Sequence, residues 1–177
     1  MLFKGRQIKL RPLKKGDYLT TIKWRDENEL RLLAQFHLLP VTNELEKEWM
    51  DALVKSKNNK EIYFAIEEIK SSNLLGYFQI KNINWSSRTA WLGIIIGDQN
   101  SRGKGYGSET MQLGLDYAFS FLNLRKISLE VISANKTALA LYKKFGFREE
   151  GVMKEQFYFN NKYYDVIIMS CYDRDFK

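Results

Sequence analysis

Residues 97–107, Gly97-Asp98-Gln99-Asn100-Ser101-Arg102-Gly103-Lys104-Gly105-Tyr106-Gly107, constrain the fold more than any other stretch of this chain. They follow Ala90 to Ile96, a nearly unbroken apolar run suited to a buried strand. They precede Met111, Leu115, Ala118 and Leu122, which mark one face of a long helix. The order is buried strand, glycine loop, helix. Three glycines within five residues expose main-chain N–H groups at the positive end of that helix's dipole, which makes the loop a prospective anion site.

The remaining periodicities surround this unit with more sheet. Gln7 to Leu13 alternate apolar with polar residues and read as a first strand closed by Pro12. The next fifty residues look helical, and within them Leu45, Trp49 and Leu53 recur at fourfold spacing after the prospective cap Thr42-Asn43. Ile62, Phe64 and Ile66 mark a strand, Tyr77 to Ile83 another, and with Ala90 to Ile96 they form a meander. Lys126 to Ile132 read as a further strand, followed by the helical stripe Ala138, Leu141, Tyr142 and Phe145, with Gly146 placed as a left-handed stop. Phe147 to Phe159 and Tyr163 to Tyr172 flank Asn160-Asn161 as a hairpin. With no repeat, no low-complexity linker and two prolines, the 177 residues read as one continuous α/β domain.

Composition removes several classes of function. The single cysteine, Cys171, excludes an intramolecular disulfide, and with one histidine, His37, it leaves no Cys/His cluster for zinc. Cys171 reads as a core residue, and His37 as a surface or satisfied histidine. No apolar run reaches the roughly 18 residues of a membrane span, and no signal-like stretch follows Met1, so the expected address is cytoplasmic, with no membrane partner. The net charge of +7 favours anionic partners without choosing among nucleic acid, anionic membrane and phosphorylated small molecule.

The glycine loop itself narrows the choice. A Walker A loop needs Ser or Thr directly after Gly-Lys, whereas Gly103-Lys104 is followed by Gly105. A dinucleotide fingerprint needs its third glycine where Ser108 stands. The RNA-binding pattern Lys-Gly-aromatic-Gly is met by Lys104-Gly105-Tyr106-Gly107 but broken by Ser108-Glu109, and that pattern belongs on a strand, not at the head of a helix. An RNA-binding module remains the alternative class, although the loop disfavours nucleic acid, and a flexible surface turn is the plain structural reading.

Arg102-x-x-Gly105-x-Gly107 between an apolar strand and an amphipathic helix resembles the pyrophosphate-binding signature of the GCN5-related N-acetyltransferases. Downstream, Leu129-Glu130-Val131, Asn135 and Leu141-Tyr142-Lys143-Lys144-Phe145-Gly146-Phe147 resemble that family's acetyl-CoA segment in the correct order. Leu10-Arg11-Pro12-Leu13 and Glu150-Gly151 are similar to the branch of ribosomal-protein and spermidine acetyltransferases, while Arg25 to Lys60 match least. The resemblance implies a mixed, mostly antiparallel central sheet flanked by helices, with a splayed strand pair for the coenzyme. It also implies acetyl transfer from acetyl-CoA to a primary amine.

What the resemblance implies for single residues has a chemical rationale. An amine of pKa about 10.4 must lose a proton before it attacks, and Glu130 is the implied base, with Glu67 or Glu68 as alternatives. Tyr142 is the implied acid for the departing thiolate. The edge of the strand before the loop, at Ile94, Ile95 and Ile96, would take the pantetheine amides and supply an oxyanion donor. Main-chain donors of Gly103, Lys104, Gly105, Tyr106, Gly107 and Ser108 would hold the phosphates, with charge from Arg102 and Lys104, and Asn135 would hold the pantetheine arm. The acceptor stays open among small amines such as polyamines, nucleotide-linked amino sugars and protein N-termini, with a net charge of +7 weighing against a strongly cationic one. Trp24, Arg25, Asp26, Asn28 and Arg31 are candidates for an acceptor pocket or, more simply, a solvated helix face. A homodimer is compatible with this reading.

Overall fold

The structure is a computed structural model that describes residues 3–35 and 39–176, so the expectation for His37 lies outside the described residues. One sheet of eight strands runs in the order β1-β2-β3-β4-β5-β6-β8-β7, with β1 (Phe3–Lys4), β2 (Ile8–Pro12), β3 (Ile62–Glu68) and β4 (Leu74–Asn84) on one side. It continues through β5 (Thr89–Ile96), β6 (Lys126–Ile132), β7 (Arg148–Phe159) and β8 (Lys162–Tyr172). Every neighbouring pair is antiparallel except β5 with β6, which is parallel. The expected meander is β3-β4-β5. The expected hairpin is β7-β8, turned by Asn160 and Asn161 at φ of 47° and 58°, which asparagine tolerates better than most residues.

Alternation along the central strands buries both faces of the sheet. Phe64, Ile66, Phe78 and Ile80 pack with Met111 and Leu115 of α4 (Tyr106–Asp116) and with Tyr142 of α5 (Lys136–Lys144). Ala65 and Tyr77 point the other way, under α1 (Tyr18–Arg25), α2 (Asn28–Leu33) and α3 (Asn43–Lys55). A helical layer on each side explains why these strands read as apolar runs. Helix α4 continues into a π-helical turn, Tyr117–Phe121, that periodicity did not foretell. Gly146 stops α5 at φ 84°, and Phe147 N–H closes the cap on the Tyr142 carbonyl at 3.1 Å. Among the described residues no helix is long and apolar enough to cross a membrane.

Helix α3 corrects the sequence reading. Thr42 caps it as expected, accepting from Leu45 N–H at 3.2 Å, but Leu45 is 53% exposed, and Met50 and Glu46 are the buried residues. A carboxylate only 1% exposed is tolerable because Arg25 of α1 donates to Glu46 Oε2 at 3.0 Å. Hydrophobic spacing alone cannot reveal an inward face that rests on an ion pair.

Candidate active site

The parallel pairing of β5 with β6 is confined to Thr89–Lys126, Ala90–Ile127 and Trp91–Ser128. Beyond it, β6 stays with β8 as far as Ile132, while β5 stays with β4 through the pairs Phe78–Ile94, Tyr77–Ile95 and Gly76–Ile96. The two strands therefore part and leave a wedge. Close pairing with β4 depends on Gly76, where a Cβ would collide with the Ile95 carbonyl. The edge of β5 at Ile94 and Ile96 consequently presents main-chain groups to the wedge, where an extended amide chain can pair as a strand would, whereas the expected Ile95 turns its carbonyl toward β4. Glu130 lies on β6 two residues past the last pair, and it is exposed between buried Leu129 and Val131.

The glycine loop follows the C-terminal end of β5. Gly103 and Gly105 hold φ of 75° and 90°, conformations that disfavour any side chain with a Cβ. Gly105 is the N-cap of α4, and the N–H groups of Tyr106, Gly107 and Ser108 lack acceptors within the helix. A carboxylate in this first turn would repel an anion, but Glu109 is drawn aside by the backbone N–H groups of Arg6 and Gln7, the latter at 3.1 Å. Helix α5 approaches on the other flank. A Cβ on Gly107 would sit 3.6 Å from Leu141 Cδ2, and Lys144 Nζ lies 3.3 Å from Ser108 Oγ. The chain thus offers oriented donors, a bare cap and a cation, a donor set that suits a diphosphate. Lys144 was not singled out from the sequence, although it stands in the same segment as Tyr142.

Several side chains have other partners than expected. Arg102 turns back from the loop: it donates to Glu27 at 2.8 Å, Glu29 at 2.9 Å and the carbonyls of Ile96 and Gly97 at 3.3 and 3.4 Å. Asn135 caps α5, its Oδ1 accepting from Ala138 N–H at 3.0 Å. Lys104 is exposed. Tyr106 is buried and its hydroxyl donates to Glu68, so its ring cannot stack on a base; this removes the central contact of the RNA-binding alternative.

The acid–base candidates differ in surroundings. Tyr142 is 7% exposed beside Phe147, ring centroids 5.8 Å apart, and burial pushes its phenol up to about 12. Cys171 is buried in the core as expected, and burial pushes its thiol up to about 11. Glu67 is buried. Burial alone would raise its carboxyl, but hydrogen bonds and charge from Lys9 and Arg11 prevail and hold it low. Glu68 is likewise held low, by hydrogen bonds from Ser71 and Tyr106. Both carboxylates have partners in the folded framework.

The expected cluster divides: Asp26 and Asn28 are exposed as a solvated face would be, whereas Trp24, Arg25 and Arg31 are packed. Trp24 lies so close over Gly97 that a Cβ there would collide with its ring, and it stacks near Tyr77 with centroids 6.4 Å apart. Arg25 reaches Glu46 and lies 5.2 Å from the Trp49 ring. Arg31 donates to the Arg25 carbonyl. A cleft of about 390 Å³ opens at this corner beside Lys23, Trp24, Glu27, Leu75, Gly97 and Asp98, adjoining the end of β5 rather than the wedge itself.

Comparison with known proteins bears on this arrangement. Residues 10–168 match the acetyltransferase (GNAT) domain family. The spermidine N(1)-acetyltransferase of Vibrio cholerae is 39% identical over 109 residues, 62% of each chain, and that of Escherichia coli K12 is 34% identical over 101 residues, 57% of this chain and 54% of the relative. These alignments span less than two thirds of the relatives' own length. A probable N-acetyltransferase of Bacillus subtilis, YjcK, is 26% identical over 98% of both chains. The crystal structure of the Vibrio cholerae spermidine N-acetyltransferase in complex with CoA and spermine superposes with a TM-score of 0.84 at 31% identity, covering 96% of this chain and 97% of that one. The wedge, the glycine loop and a family match that spans most of the sequence lead to one conclusion: the chain belongs to the GNAT acetyltransferases.

Proposed function

We propose that this protein transfers the acetyl group of acetyl-CoA to a primary amine of a polyamine such as spermidine. The observation that carries the reading is the parting of β5 from β6 after Trp91 and Ser128, directly below a glycine loop whose donors are unclaimed by the helix. Acetyl-CoA supplies the activated thioester, and the chain's residues hold it and manage protons. The N–H groups of Gly103 to Ser108 take the diphosphate, with Lys104 and Lys144 beside it. The β5 edge at Ile94 and Ile96 pairs with the pantetheine arm and directs an N–H at the carbonyl oxygen. Glu130 accepts the proton of the attacking amine, and Tyr142 donates one to the sulfur as the C–S bond breaks.

The polyamine acceptor is supported by the relatives that bear that name. Net charge of +7 weighs against a cationic substrate at long range, and at the corner near the wedge Asp26, Glu27, Glu29 and Asp98 stand among Arg31, Arg102 and Lys23, so local charge does not choose the acceptor. Salt screens the long-range part of the net charge over about a Debye length, so the relatives carry the choice. The test is release of free CoA against spermidine, spermine, UDP-amino sugars and peptides. Turnover is expected with the polyamines; turnover with peptides alone would overturn the acceptor, and no release with any amine would overturn the activity.

A further inference from the structure

Arg102 opens the glycine loop, but its side chain serves a different part of the molecule. Both Glu27 oxygens lie 2.8 Å from Nη2, Glu29 Oε2 is 2.9 Å from Nη1, and Nε reaches the Ile96 carbonyl at 3.3 Å. Glu27 precedes α2 as its N-cap and Glu29 lies in its first turn, so one guanidinium ties the start of α2 to the last residue of β5. Trp24 fixes the same corner from α1, through the close approach that Gly97 allows. Helix α2 also approaches β6. The α1–α2 segment thereby bridges the wide end of the wedge, where an amine must enter if the coenzyme fills the rest.

We infer that Arg102 is a positioning residue that clamps the α1–α2 segment onto the end of β5 and so shapes the acceptor entrance, and that it is not a phosphate ligand. Swinging the guanidinium to a phosphate would strip Glu27 and Glu29 of their cation, with the Glu27 side chain only 23% exposed. The loop's backbone donors make that exchange unnecessary. A lysine cannot reproduce the clamp, because only the planar fork serves two carboxylates and two carbonyls together.

The inference rests on the acetyl-transfer reading for its kinetic arm alone. Arg102→Ala should raise the acceptor KM roughly tenfold while acetyl-CoA Kd moves by less than about twofold. Arg102→Lys should fall between, and Glu29→Gln should add almost nothing in the Arg102→Ala background, since both remove one interaction. Amide exchange across residues 24–33 should quicken in Arg102→Ala, whether or not any amine is turned over. If Arg102→Ala does not fold, Glu27→Gln with Glu29→Gln must reproduce the rise in acceptor KM and the faster exchange. Weakened acetyl-CoA binding with unchanged acceptor KM and unchanged exchange would overturn the inference. A wild-type protein that acetylates nothing would instead defeat the functional reading, and exchange would still decide the clamp.

Discussion

Replacing Tyr142 with phenylalanine tests the proposed proton donor at the point where burial and chemistry meet. Burial raises the phenol to about 12, whereas a solvated thiol titrates near 8.5. The difference, 12 − 8.5, is about 3.5 units or ~5 kcal/mol, too large for an efficient transfer to a thiolate in water. The same dry surroundings also disfavour the thiolate and raise its pKa, so the gap closes only when the sulfur lies in the wedge with the phenol. Tyr142→Phe should therefore lower kcat by roughly 10²–10⁴ while acetyl-CoA Kd, measured by calorimetry, holds steady. The ring keeps its packing against Phe147, so thermal stability should change little. Because the phenol stays protonated well beyond pH 10, wild-type kcat should show no basic limb attributable to it in the accessible range. An unchanged kcat in the variant would remove Tyr142 from the mechanism, and a wild-type limb near pH 10 that vanishes in Tyr142→Phe would refute the buried phenol.

Other expectations concern the loop and the framework. Gly105→Val forces a β-branched residue to φ of 90°, a strain of about 1–2 kcal/mol, and should weaken acetyl-CoA about tenfold with an unaltered circular dichroism spectrum. Gly97→Ala drives a methyl into the Trp24 ring and should cost about 1–3 kcal/mol in urea denaturation; a neutral result would mean that α1 shifts freely on the sheet. Tyr142 and Cys171 hold their protons more tightly folded than unfolded, with values moving from 10.0 to about 12 and from 9.0 to about 11. Their contribution is complete below the lower values and lost as pH climbs through the higher ones, so the urea midpoint should fall between about pH 9 and 12. A midpoint that stays level across that window would show that neither group is buried in solution.

The strands from β2 onward, the long helix, the capped α5 and the terminal hairpin were legible because each depends on local patterns: alternation, 3.6-residue spacing, Gly146 at positive φ and the Asn160-Asn161 turn, whereas the two-residue β1 is too short to carry one. The glycine loop was legible for the same reason, since its conformation is written in residues without a Cβ. Helix α3 was misread because Glu46 turns inward only when Arg25, twenty-one residues earlier, is there to meet it. Neither spacing nor composition encodes that meeting.

What the sequence determined by itself is therefore most of the elements and the backbone conformation of one glycine loop, both products of short-range backbone preference and hydrophobic period. The tertiary structure decided which groups face one another. It parted β5 from β6, drew Glu109 away from the head of α4, brought Lys144 toward Ser108, and turned Arg102 to Glu27 and Glu29. Those choices follow from charge pairing and close packing between residues distant along the chain, whose energies exist only once the elements are in contact.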